Sequence, residues 1–257
     1  MDEFHIIYEQ PLNELIRVSL RFEYLFNQID SCLNVVDAER HVHTAVKLIV
    51  DLINLSDRPD LKSKISKEFN RYIMFFSRLQ SSPEIQKETL NNTLQQLNEL
   101  NNYFLNTQGK IAQELRNSDF FILLRQNIIT PGGGSSMDTP QYFYWRNKTS
   151  QVHKEQIAIW LQAFEKIRAA TKLLLNIVRN SSSPEAHIAQ SGFYHENLDS
   201  QANCQLIRMA LAKEIIVYPE VSLGKHRLVI RFVIPSLTAR PIQTKEDVKF
   251  SLMKCII

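Results

Sequence analysis

Glycine is scarce in this 257-residue chain: six residues, where average usage near 7% would give about eighteen. Folds that cradle phosphates spend glycine in their loops, so the shortage argues against a nucleotide enzyme. The one glycine-rich stretch, Pro131-Gly132-Gly133-Gly134-Ser135-Ser136, lacks the Lys-Ser/Thr of a phosphate loop and reads as a turn needing positive φ. Three cysteines, Cys32, Cys204 and Cys255, are odd in number and widely spaced, which gives neither a disulfide framework nor a zinc site. No apolar run approaches the roughly 18 residues of a membrane span, and the Met1-Asp2-Glu3-Phe4-His5 start has no signal-peptide character. These features point to a reduced, cytoplasmic protein without membrane insertion.

Catalytic patterns are missing too. His41 and His43 sit about 200° apart around a helix and do not share a metal from one helix. The other histidines, His5, His153, His187, His195 and His226, have no ligand or triad spacing, and no nucleophile-elbow or paired-carboxylate motif occurs. The expectation is no catalytic residue, no metal and no cofactor. The net charge of +3 is small for a generic nucleic-acid binder.

What is present is pattern. From Gln205 onward nine Lys/Arg face four Asp/Glu, a local +5, while the first 204 residues sum to −2. Such asymmetry suits an anionic partner for the C-terminal part, or equally a solvated strand face with lysines guarding its edges. The first 130 residues predict successive helices. The first follows Pro11 and carries Leu12, Leu15, Ile16, Phe22, Phe26 and Ile29; a second opens near Asp37, and a third runs from about Asp60. A fourth starts at Ser82-Pro83-Glu84, and its stripe of Leu90, Leu94, Leu97, Leu100 and Phe104 is short for a free coiled coil, so it favours burial within a bundle. Asp119–Asn127 reads as a buried helix, Gln141–Trp145 as an aromatic strand and Ser150–Arg179 as one long helix. After Pro184 the period falls to two: Ile215–Tyr218 and Arg227–Val233 flank a turn, and Val248, Phe250 and Leu252 alternate in a last strand. This predicts an α+β fold, a helical bundle domain (1–116 with 150–182) plus an antiparallel β-sheet domain (117–149 with 183–257).

Two arginine pairs stand out. Arg17 and Arg21 lie four apart on a helix and share a face, with Glu14 placed to pair with Arg17. Arg227 and Arg231 lie four apart on a strand and share a side with Val229, opposite Leu228, Ile230 and Phe232. Guanidinium groups beside apolar surface suit peptide carboxylates; two isolated solvent-facing arginines are the plainer reading.

Tyr8-Glu-Gln-Pro-Leu-Asn-Glu14 with Arg17, Leu20-Arg21 and Glu23 resembles the N-terminal signature of the ZapD family of bacterial cell division proteins. Also similar, and in the family's order, are Ile129-Thr-Pro-Gly-Gly133 with Asp138, Pro140 and Trp145; Ser191-Gly-Phe-Tyr194; and Tyr218-Pro219 with Lys225, Arg227 and Ile230-Arg-Phe232. The resemblance implies a non-enzymatic homodimer at the mid-cell division site. It would bind the C-terminal tail of the tubulin-like protein FtsZ and bundle filaments, stabilising the division ring. It implies a basic tail pocket drawn from Arg17, Arg21, Arg125, Arg208, Lys225, Arg227 and Arg231. Two positions depart from the family pattern: Asp119 stands where an arginine is usual, with Arg116 a substitute, and Phe143 stands where a histidine is usual. The helix from Ser150 and the β domain are both candidate dimer faces, with the helical domain favoured. The alternative function is nucleic-acid binding through a basic β-sheet face, marked by a steep salt dependence.

Overall fold

The computed structural model describes residues 5–34, 38–80, 86–199, 203–224 and 227–257, with backbone alone for 38–40. The expected cap Asp37, the helix start Ser82-Pro83-Glu84, and Lys225 lie outside the described residues. In chain order the elements are β1 (His5–Pro11), α1 (Glu14–Asn34), α2 (Ala38–Leu55), α3 (Leu61–Leu79), α4 (Lys87–Asn106), α5 (Gln113–Asn117), α6 (Asp119–Asn127), α7 (Pro140–Arg146), α8 (Ser150–Gln162), α9 (Glu165–Arg179), β2 (Glu185–Ala189), β3 (Phe193–Asn197), β4 (Cys204–Ala212), β5 (Tyr218–Leu223), β6 (Arg227–Ile234), β7 (Ile242–Gln243) and β8 (Val248–Ile256). The fold is α+β. Two compact units divide within α1 and α9: residues 1–17 with 175–257, and residues 18–174. No helix among the described residues is long and apolar enough to cross a membrane.

The first unit is a sandwich of antiparallel sheets. One sheet runs β1-β4-β8-β2; the other runs β3-β6-β5, with β7 also on β6. Strict alternation turns Ile207, Met209 and Leu211 of β4, Val248, Phe250 and Leu252 of β8, and Leu228, Ile230 and Phe232 of β6 into one shared core. Each such side chain, fully buried, contributes about 1.5–3 kcal/mol over its exposed state. The other residues of each strand therefore lie on outer faces, which fixes where the charged groups go. Between β2 and β3, Gly192 takes φ +69°, and a Cβ there would stand 2.5 Å from Thr244 Cγ2, so only glycine fits this turn.

Among the described residues the second unit is all helical. In α4 the stripe of Leu90, Leu94, Leu97, Leu100 and Phe104 is buried, as its short length suggested, and α3 is its packing partner. Asn101 on α4 donates to Asn70 on α3 at 2.8 Å, fixing their register with a polar contact. A second core gathers aromatic rings: Phe120 and Phe121 of α6, Tyr142 and Trp145 of α7, and Trp160 of α8 have neighbouring centroids 5.0–6.3 Å apart.

Several expectations fail, each for a physical reason. Pro11 ends an edge strand instead of opening a helix; β1 pairs with β4, and α1 starts only at Glu14, with Asn13 Oδ1 accepting from Ile16 N at 2.8 Å. Gln141–Trp145 is helical, not a strand: Pro140 presets the first turn, and burial of Tyr142 in the aromatic core overrides β propensity. The long helix from Ser150 breaks into α8 and α9, because Ala163 and Phe164 bond three residues back, to Trp160 and Leu161, which turns Phe164 fully inside. Segment 117–149, expected in the β domain, carries α6 and α7 and lies in the helical unit, and β1 lies in the sandwich. Of the predicted hairpin, Arg227–Val233 holds, but its partner strand is Tyr218–Leu223, with Pro219 inside the strand and not in the turn.

Candidate functional site

The outer face of the second sheet carries the clearest arrangement of sequence-predicted residues. Along β6, Arg227, Val229 and Arg231 alternate with the buried Leu228, Ile230 and Phe232. The register sets Arg231 between Phe193 of β3 and Glu220 of β5, Val229 between His195 and Ser222, and Arg227 beside Asn197. Both arginines are exposed. Arg231 Nη2 reaches Glu220 Oε2 at 3.4 Å, with the two side chains 55% and 45% exposed. A surface pair of this kind is worth about 0–1 kcal/mol, so an incoming carboxylate can replace Glu220 at little cost. Phe193 and His195, with ring centroids 5.7 Å apart, form an aromatic flank to the arginine row. This face presents two planar cations over apolar ground, which can hold a short peptide with both acidic and apolar side chains.

Arg208 is elsewhere. It lies on the outer face of the first sheet, cross-strand from Glu9 of β1. Its Nε donates to Glu9 Oε1 at 2.8 Å, while Arg179, at the end of α9, donates to both oxygens of the same carboxylate at 2.8 and 2.7 Å. Two guanidinium groups share one carboxylate there.

The remaining candidates divide between structural and exposed positions. Arg17 pairs with Glu14 at 3.1 Å, as the spacing allowed, and Arg21 follows one turn later on α1; both are exposed. Arg125 is tied down inside the helical unit, donating to Asn54 Oδ1 at 2.9 Å and Asp57 Oδ2 at 3.3 Å. Arg116 is buried and serves the fold: it donates to the carbonyls of Ile111 and Ile53 and to Ser56 Oγ, and pairs with Asp57 at 3.0 Å. Phe143 on α7 is 37% exposed, with the Arg146 guanidinium over its ring at 5.4 Å.

The hydrogen bond from Lys110 holds the Asp57 carboxyl below its ordinary range, and the Arg116 and Lys110 charges and the Arg125 hydrogen bond add to the effect. Burial pushes Tyr142 up to about 12. Among the described residues no group of three or more His, Cys, Asp and Glu side chains could hold a metal ion. Phe193, His195 and Glu220 were not among the sequence-derived candidates. They join the face only through strand register, and the one local signal was the alternation of Phe193, His195 and Asn197 across β3.

Comparison with known proteins is uniform. The ZapD family model, described as "Cell division protein", matches residues 20–231. The chain is 34% identical over 254 residues to the cell division protein ZapD of Coxiella burnetii strain RSA 493, covering 98% of each chain. It is 30% identical over 252 residues to that of Methylococcus capsulatus, again 98% of each, and 29% identical to that of Azoarcus sp. strain BH72, covering 98% of this chain and 100% of the relative.

Proposed function

The chain belongs to the ZapD family of cell division proteins, and from that premise we propose that it is a non-enzymatic homodimer that binds the C-terminal tail of FtsZ and crosslinks FtsZ filaments at the cytoplasmic mid-cell ring. The observation that carries this reading is the Arg227–Val229–Arg231 row on one exposed strand face, flanked by Phe193 and His195. In this mechanism a tail carboxylate takes over the Arg231 fork from Glu220, a second engages Arg227, and apolar tail side chains cover Val229 and Phe193. The charges speed encounter and make it salt-sensitive, while the apolar contacts slow release. Arg17 and Arg21, one helical turn apart on α1, are a separate exposed guanidinium pair and a second candidate for acidic residues. Arg116 and Arg125, already committed to Asp57 and its neighbours, have no role in this capture.

Bundling follows from valence. A dimer with one such face per protomer turns the second tail contact into an intramolecular event, so weak single contacts combine into a strong link between polymers. The helical unit is our proposed dimer face, with the β sheets the other candidate. Co-sedimentation with polymerised FtsZ, and with FtsZ lacking its C-terminal tail, tests the proposal. Pelleting with the intact polymer only is expected; equal pelleting with both overturns tail capture. Tight binding to arbitrary duplex DNA with a steep salt slope would instead assign the basic face to nucleic acid.

A further inference from the structure

The outer face of the first sheet holds a cavity of 460 Å³ with Ile7 and Ala210 on its apolar side and Arg179, Arg208 and Ser183 among its polar residues. A second cavity of 580 Å³ on the same face extends toward Ile188 and Lys249, and it shares Ala210 and Ser251 with the first. The two thus form one trough. Register places Ile7, Ala210, Ser251 and Ala186 in a single row across all four strands. Three strand spacings of about 4.8 Å make that row ~14 Å long, the reach of about four extended residues. Two of the four row residues are alanine and one is serine, so a chain can approach the sheet closely.

Among the described residues, neither cavity has a carboxylate in its lining. Glu9 is shared by Arg179 and Arg208, whose side chains are only 23% and 24% exposed. Arg208 spends its Nε on Glu9, and its Nη1 meets only the Met253 sulfur at 4.0 Å. Among the described residues, no oxygen accepts from the two terminal nitrogens of Arg208. Arg116, by contrast, uses Nε and both terminal nitrogens. A partly buried guanidinium with its forked edge unmet is a carboxylate receptor in geometry and charge. Lys249 adds an exposed cation at the far end.

We propose that this trough is a second docking site, taking an extended acidic and apolar peptide segment whose carboxylate seats on the free edge of Arg208 while its apolar side chains lie along Ile7 and Ala210. The site is on the opposite outer face of the sandwich from Arg227 and Arg231, so it stands or falls independently of tail capture on β6.

The probe is a fluorescein-labelled, end-blocked peptide alternating Leu and Asp, read by anisotropy on the full chain, with an Asn-for-Asp peptide as control. Binding is expected for the Asp peptide and not for the Asn peptide. Read in the Arg227→Glu, Arg231→Glu background, which disables the β6 face, Arg208→Gln should weaken it about tenfold, the effect of one charge-assisted hydrogen bond. Ala210→Leu, which fills the shared floor without touching a charge, should weaken it by a similar factor. The Arg227→Glu, Arg231→Glu double variant should retain binding. Circular dichroism melts accompany each variant, and if Arg208→Gln does not fold, Ala210→Leu decides. The proposal is overturned by no binding to the native chain, by native affinity in Ala210→Leu, or by loss confined to the β6 double variant. Competition by acetate as effective as by unlabelled peptide would assign the cavity to a small anion and overturns it equally.

Discussion

Arg208 on β4 and Arg231 on β6 lie on the two opposite outer faces of one β sandwich, with Met209, Ile230 and Phe250 filling the layer between the sheets. Sheets in such a sandwich stack about 10 Å apart, and side chains on opposite outer faces add their own lengths to that separation. One short peptide segment cannot close on both groups at once, so their substitution phenotypes should be separable. Charge reversal at Arg227 and Arg231 together should abolish FtsZ bundling in co-sedimentation. It should leave the urea unfolding midpoint of the native chain nearly unchanged, since exposed substitutions usually stay within about ±0.5 kcal/mol. Native bundling by the double variant would remove this face from the site.

Glu9 gives the complementary prediction. Its carboxylate separates Arg179 from Arg208, so Glu9→Gln leaves two partly buried guanidinium groups without their shared anion. Breaking one side of a buried pair costs about 3–5 kcal/mol, and the remaining solvent access lowers the expected loss to about 1–3 kcal/mol. Equilibrium urea unfolding measures it. A Glu9→Gln chain as stable as the native one would show that solvent already neutralises the cluster.

The legible parts of this fold were those where one local period dominates. Arg227–Val233 alternates cleanly, so the side shared by Arg227, Val229 and Arg231 was readable before any pairing was known. The stripe from Leu90 to Phe104 was readable as bundle core for the same reason. In His5–Pro11 the neighbouring Ile6 and Ile7 blur the alternation, and Pro11 suits a helix start as well as an edge-strand end; only pairing with β4 decides between them. The aromatic run from Tyr142 to Trp145 has strand composition, and its helix is settled by rings contributed from α6 and α8. The break at Ala163-Phe164 has no glycine or proline to announce it. Arg208 and Arg231 were grouped by family resemblance, whereas their true separation depends on which sheet each strand joins, a long-range property without local signature.

Asp57 predicts how acid acts on the helical unit. Its folded carboxyl is held below the ordinary 3.8, first by the Lys110 hydrogen bond. A group depressed on folding stabilises the native state fully above its unfolded value, and that contribution is lost as pH falls through the folded value. The native chain should therefore exceed Asp57→Asn in stability at neutral pH. The gap should close as the medium is acidified below 3.8. Urea midpoints of both chains across that range test the sign, and a gap that widens in acid contradicts it.

His43 and Tyr142 act at a higher pH. His43 Nδ1 lies 2.7 Å from the Tyr142 hydroxyl, and burial, with Arg146 and Lys47 adding to it, lowers the imidazole below its ordinary 6.5. The folded state thus binds this proton less readily than the unfolded chain. Stability from this source is complete above 6.5 and declines as pH falls from there toward the folded value. Tyr142→Phe removes the hydroxyl but keeps the ring, and should cost about 1 kcal/mol, the net worth of one intramolecular hydrogen bond. His43→Gln removes the titration itself, so its melting temperature should fall less than the native value as pH drops below 6.5. Parallel melting curves for the native and His43→Gln chains across that range would show that this imidazole does not couple to folding.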